Sequence, residues 1–177
     1  MNVEAVLQEL LDKQAIQELI ARYSRTLDWL DDAGQAGCYW PDAAIDYGFF
    51  KGTAAEFVPV VMAVERSTGR RWHLLAPLSV KLTSATTAEG ECYGVALGFR
   101  REEESDPYKG NMYGGRYLDT YEKREGQNGA EWRIASRRYI MDWTMAMPDQ
   151  PDASPNAEFP LPMLDLRESG HPDYRRM

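Results

Sequence analysis

Residues 72–82 read WHLLAPLSVKL, and within them the spacing of the apolar residues changes. Here Leu78, Val80 and Leu82 alternate with Ser79, Lys81 and Thr83, whereas upstream the apolar positions recur every three to four residues. A period of 2 belongs to a half-buried strand and a period of 3.6 to a helix lying on a core. Downstream the short period persists. Tyr93, Val95, Leu97 and Phe99 alternate with Cys92, Gly94, Ala96 and Gly98. Residues 112–122 and 131–143 give two more long strands, separated by the polar turn REGQNG.

Upstream, Ile16, Leu19, Ile20, Tyr23, Leu27 and Leu30 make one stripe of a helix over residues 3 to about 31. Val3, Val6, Leu7 and Leu10 make a second, rotated stripe, so the helix is expected to be enclosed on more than one side. Cys38-Tyr39-Trp40-Pro41 ends a short helix, and Ala43 to Phe50 reads as a short strand. Gly52-Thr53 opens a helix to about Ser67, with Phe57, Val60, Val61 and Val64 on one side and Pro59 predicting a late start or a kink. Helices first and long strands after them predict an α+β fold with an antiparallel sheet.

The 177 residues suit one domain, and 44% apolar with 27% charged residues is ordinary for a globular protein. A net charge of −8 repels phosphates, which argues against nucleic acid and anionic membranes as partners. No run approaches the roughly 18 apolar residues of a membrane span, and no signal peptide is recognisable, so the expectation is cytoplasmic. Cys38 and Cys92 form neither a CxxC pair nor a metal-ligand cluster. The absence of a Gly-rich phosphate loop, a nucleophile elbow and an HExxH motif removes nucleotide enzymes, serine hydrolases and zinc enzymes from the front rank. Residues 148–177 hold six of the ten prolines and read as a C-terminal arm following a domain of residues 1–147. Phe159, Leu161, Met163, Leu164 and Leu166 suit an arm that covers a pocket or an interface.

The chain has two histidines, and His171 stands beside a proline close to residue 177. His73 heads the strand between Trp72 and Leu74. It is either an inert core histidine or a general base, which would need a partner to hold its tautomer. Arg137, on an unbroken strand, shares a face with Ala135, Tyr139, Met141 and Trp143, opposite Trp132, Ile134, Ser136, Arg138 and Ile140. A guanidinium on an apolar face is a structural ion pair or an electrophile aimed into a cavity. A bulge between residues 132 and 138 would swap the faces. Gly94, Ala96 and Gly98 leave one strand face nearly bare, for close packing or for a ligand. Asp28 closes the first helix, about 140° around it from Tyr23.

Three stretches, AIQELIARYSRTLD (residues 15–28), RWHLLAPLSVKL (71–82) and EWRIASRRYIMDW (131–143), together resemble the SnoaL-like branch of the nuclear transport factor 2-like superfamily, over residues 8–145. The resemblance implies a cone-like curved antiparallel sheet wrapped around the N-terminal helices, with a deep pocket. It places Asp28 and His73 at the family's catalytic aspartate and histidine. Arg137 falls at an arginine that assists the leaving group in some members, and Tyr23 at a polar active-site position. The activity implied by the resemblance is that of a cofactor-independent lyase with no metal. His73, oriented by Asp28, would take a proton from a small aromatic or polycyclic hydroxylated substrate, while Tyr23 and Arg137 stabilise the developing oxygen. Water would leave, or formaldehyde, as in members acting on lignin-derived diarylpropanes. Tyr47, Phe49, Tyr93, Tyr113 and Trp143 would supply aromatic walls. An isomerase or cyclase on a steroid-like or polyketide substrate, or a non-catalytic binding protein, is the alternative. The dehydratase members further imply a homo-oligomer, with a trimer favoured.

Overall fold

The computed structural model of the chain describes residues 2–103, 106–126, 129–149, 168–175 and 177. Helix α1 (Val3–Asp28) is capped by Asn2, whose side chain accepts the Glu4 N–H at 3.1 Å, and carries Glu4 in its first turn and Arg25 in its last. Its second half is core: Ile16, Leu19, Ile20, Tyr23 and Leu27 are buried. Its first half is not. Val3, Leu7, Leu10 and Leu11 are exposed, so the second stripe is uncovered within the described residues, contrary to the expectation of enclosure. Asp12 marks the boundary, buried under the Trp132 indole N–H (2.8 Å) and the Lys123 ammonium (2.9 Å).

A reversal at Leu30, whose φ of 51° lies in the left-handed region, leads into α2 (Asp32–Ala36), which Asp31 caps through the Gly34 N–H at 3.0 Å. Tyr39 and Trp40 then open strand β1 (Tyr39–Asp46) and do not close the short helix; both rings are buried in the core. Strand β2 (Lys51–Thr53) folds back on β1, and Thr53 starts α3 (Ala54–Arg66) with its N–H on Glu56 Oε2 at 2.9 Å. Pro59 neither delays nor interrupts α3; it lies on the exposed side, where the missing donor leaves a carbonyl to water. The buried face of α3 is Ala54, Phe57, Val58, Val61 and Met62, so Val60 and Val64 point outward, a rotation from the face expected.

Strands β3 (Arg70–Leu82), β4 (Thr87–Arg100), β5 (Lys109–Gly126) and β6 (Gly129–Ala146) form an antiparallel meander, and the sheet order is β2-β1-β6-β5-β4-β3. One pairing departs from the all-antiparallel expectation: β1 runs parallel to β6, with Ile45 opposite Arg137. The long strands curve through bulges, each inserting one residue against its neighbour. In β6 the extra residue is Ala135, since Tyr121 pairs with Ile134 and Thr120 with Ser136. A second is Asp142, between the pairs Gly115–Met141 and Gly114–Trp143. In β3 the register slips between Leu75 and Leu78. The inner face of the curved sheet closes on α1 and α3, giving the mixed α+β fold predicted.

Candidate functional site

Two buried clusters of charged and aromatic groups lie inside this shell. The first holds Arg137. The bulge at Ala135 lets Trp132 and Ile134 face inward on one side of it and Arg137 on the other, so these three share the core face that an unbroken strand would have divided. Arg138 is exposed, so the two arginines do point opposite ways. Arg137 donates through Nε and Nη2 to both oxygens of Asp119, at 2.8 and 2.7 Å, and neither side chain has any exposed surface. Tyr121 gives its hydroxyl to the same carboxylate at 2.9 Å. The guanidinium lies 4.2 Å from the Tyr23 ring centre and 4.5 Å from that of Tyr117. Tyr23 shares a 2.9 Å hydroxyl contact with Tyr47, which stacks on Tyr139. Burial first, then neighbouring tyrosines, push the Tyr23 phenol well above its usual value. In place of a guanidinium aimed freely into a cavity, the structure has a sealed bidentate pair, with Arg137 Nη1 left without a partner among the described residues.

The second cluster is built around His73. Asp28 is the last residue of α1, where the helix dipole disfavours a carboxylate and a compensating donor is worth most. It finds two. Its Oδ1 is 2.8 Å from His73 Nδ1, and its Oδ2 accepts the His73 backbone N–H at 3.2 Å. Imidazole tautomer and ring orientation are both set by this double contact. Arg71, two residues along the same inner face, reaches the Asp28 carbonyl with Nη1 at 3.4 Å and the Glu65 carbonyl with Nε at 3.0 Å. Burial pulls the His73 pKa down, but the Asp28 hydrogen bond and the charges of Glu65 and Asp28 outweigh it and raise it above the ordinary histidine value.

The free edge of the imidazole looks onto a cavity of about 190 Å³ walled by Val64, Glu65, Thr68, Ala96, Leu97, Gly98, Arg100 and Tyr113. Ala96 and Gly98 are the nearly bare strand face noted in the sequence, and here it makes room. Tyr113 sits in the cross-strand row His73–Ala96–Tyr113. A cavity near 150 Å³ is enough for benzene, so this one admits a single ring. A larger apolar groove, about 680 Å³, runs between α2, β1 and α3, but its charged groups, Asp32 and Arg66, are an exposed ion pair with each other and it contains no base.

Of the residues singled out in the sequence, the structure joins His73 and Tyr113 at one cavity, with Asp28 bonded to His73 behind it. It joins Tyr23, Tyr47 and Arg137 in the other cluster, none of which lines the His73 cavity. Phe49 is 69% exposed at the turn between β1 and β2. Tyr93 and Trp143 are half exposed and line an outer-surface depression with Leu74; Tyr93 carries the Arg116 guanidinium over its ring. The bulge at Asp142 is the reason for Trp143, because one inserted residue carries it off the Arg137 face. Glu65, which the sequence did not single out, stands with Oε1 3.8 Å from His73 Nε2. Its signal was available: it continues the buried stripe Phe57, Val61, Met62 at helical spacing. Cys38 and Cys92 are buried free thiols, and burial pushes Cys92 to about 11, out of range for a nucleophile at neutral pH. No helix among the described residues is long and apolar enough to cross a membrane.

Comparison with known proteins identifies the domain and its fold. The SnoaL-like domain model matches residues 8–138, most of the chain. The chain belongs to the SnoaL-like domain family. Solved structures carry the same fold. A protein assigned as a scytalone dehydratase from Novosphingobium aromaticivorans superposes with a TM-score of 0.68 at 18% identity, covering 85% of this chain and 99% of that one. A type 2 hexachlorocyclohexane dehydrochlorinase gives 0.66 at 20% identity, over 84% and 97%. A nuclear transport factor 2-like protein with a cystatin-like fold, also from N. aromaticivorans, gives 0.61 at 25% identity, over 80% and 88%. Among curated sequences nothing matches. The proteins sharing the fold thus include one assigned as a dehydratase and a dehydrochlorinase.

Proposed function

We propose that this SnoaL-like protein is a cofactor-independent lyase in which His73 is the general base and Asp28 orients it. The observation that carries the reading is the pairing of Asp28 with His73 Nδ1 at 2.8 Å beside a cavity onto which Nε2 opens. A carboxylate on one ring nitrogen fixes the tautomer and stabilises the imidazolium formed when the other nitrogen takes a proton. For a β-hydroxylated substrate, Nε2 takes the C–H proton, that electron pair forms the alkene, and the C–O bond breaks as the departing oxygen takes one proton from the site and leaves as water, a proton that the one gained by Nε2 replaces. For a hydroxymethyl substrate, Nε2 takes the O–H proton, formaldehyde forms as the C–C bond breaks, and the C–C electrons form the alkene as a group leaves the next carbon.

The cavity size favours a substrate that presents one ring or its reacting end to His73, with Tyr113 as the aromatic wall and the rest of an aromatic or polycyclic skeleton outside. Tyr23 and Arg137, closed in with Tyr47 and Asp119, support the core next to the site. Assembly as a homotrimer is part of the same reading, supported by the exposed apolar groups Trp72, Leu74, Trp143 and Met145 of the sheet and Leu7 and Leu10 of α1. Phe159 to Leu166, the apolar set of the C-terminal arm, lie outside the described residues. Sedimentation of the full chain tests the assembly, and a monomer at micromolar concentration refutes it.

The decisive experiment is a mass-spectrometric screen of aromatic and steroid alcohols. A product lighter by one water identifies dehydration, and one lighter by formaldehyde together with the group lost from the next carbon identifies C–C cleavage. A product of unchanged mass points to the isomerase reading, and binding without product to a binding protein. His73→Ala run in parallel separates enzyme from contaminant.

A further inference from the structure

Resting on His73 as the base, we infer that Glu65, standing 3.8 Å from His73 Nε2 across the mouth of the same cavity, is the proton donor to the leaving oxygen and shares one proton with the imidazole. The sealed pair Arg137–Asp119 leaves the His73 cavity without the electrophile that the sequence assigned to it. Glu65 is the carboxyl group that takes that place. Its side chain is largely buried on the inward face of α3, and Arg71 is held against it, with Nε 3.6 Å from Oε2. The groups facing the Glu65–His73 pair are Asp28 from α1, Arg71 from β3, Arg100 from β4 and Tyr113 from β5.

A proton count explains why two carboxylates flank one histidine. Asp28 contacts Nδ1 and Glu65 faces Nε2, so the pair Glu65–His73 exists either as carboxylate and imidazolium or as carboxylic acid and imidazole, with the same number of protons. The first form has no base. The second presents a bare Nε2 lone pair and an acidic O–H to the same cavity. Burial raises the Glu65 pKa above the ordinary carboxyl value despite the lowering by His73 and Arg71, which favours the acid form of the carboxyl. In the second form, Nε2 takes the substrate C–H proton while Glu65 gives its proton to the hydroxyl as the C–O bond breaks. Water leaves, and the site is left as imidazolium and carboxylate. Transfer of that proton from Nε2 back to Glu65 restores the starting state with no external acid.

Two measurements decide it. In the first, the imidazole nitrogens of His73 are titrated by NMR in the wild-type protein and in Glu65→Gln, with His171 as internal control. The apparent pKa of His73 should fall by roughly one unit in the variant, and an unmoved His73 overturns the inference without any substrate. The second takes an alcohol turned over in the screen and its chloride analogue, since chloride departs without a proton. Glu65→Gln should cost about 10²-fold on the alcohol and leave the chloride nearly unchanged. Equal losses on both overturn the inference. Glu65→Asp, which keeps the charge and shortens its reach, should leave the His73 titration near wild type while slowing the alcohol. His73→Ala separates the two levels: activity retained there removes the base reading itself, whereas activity lost there with Glu65→Gln fully active removes only the role of Glu65.

Discussion

The two charged clusters use similar parts to opposite ends. Around Arg137 the opposite charges are closed on each other: two parallel hydrogen bonds to Asp119, a tyrosine hydroxyl on the same carboxylate, aromatic faces on the guanidinium, and no solvent. Around His73 one nitrogen is satisfied and the other is not, and the unsatisfied one opens on a cavity. A closed set of charges in a dry interior serves rigidity, because any change in its protonation strands a charge. An open set with a histidine between two carboxylates can change protonation without stranding one. Chemistry should therefore be sought at His73, and stability at Arg137.

Breaking the closed cluster should give the largest effect. Asp119→Ala leaves the Arg137 guanidinium buried without its counter-charge and should cost about 3–5 kcal/mol, read from the urea midpoint; a midpoint unchanged from wild type would show that Arg137 is not held by this pair. His73→Ala should invert the pattern, with turnover down about 10²–10⁴-fold and a much smaller change in the urea midpoint. Two comparable stability losses would erase the distinction between the clusters.

The pH dependence sharpens it further. A base must be neutral, so the acid limb of kcat/KM should lie above the ordinary histidine value of about 6.5, because the His73 pKa is raised. Asp28→Asn should move that limb downward, since burial, which favours the neutral ring, then acts with less opposition. Stability follows the same sign. A raised folded pKa contributes stability fully below about 6.5, and the contribution disappears as pH rises through the folded value. The gap in unfolding free energy between wild type and Asp28→Asn should accordingly narrow with rising pH, and a gap that widens would contradict the assignment. The smallest effect belongs to a pair of neighbours. Arg137→Lys should already destabilise, because a point charge cannot make two parallel bonds to Asp119, and Arg138→Lys, on the solvent side, should be nearly neutral by the same urea assay.

What the sequence disclosed and what it hid have separate physical origins. Period carried the elements, and the three matching stretches carried Asp28 and His73. The opposition of Arg137 and Arg138 survived because both follow the bulge at Ala135. Trp132, Ile134 and Trp143 were misplaced because a bulge changes facing without changing composition, so alternation counted across it fails. Glu65 was hidden by a face choice on α3: Val60 and Val64 looked as apolar as Val61 and Met62, and only the structure shows that the stripe ending in Glu65 is the inner one. Tyr93 was assigned to the pocket on its aromatic character, though the bare face of its own strand had already marked the inward side.

The turn after Asp28 has one more set of contacts. Trp29 lies against the rings of His171 and Tyr174, at 5.9 and 5.6 Å, the Tyr174 hydroxyl bonds to Asp31, and Arg25 stacks on Tyr174. Asp31 and Tyr174 are 143 residues apart along the chain. During synthesis the segment bearing Asp28 therefore leaves the ribosome early and acquires its last neighbours late, after all six strands have been made.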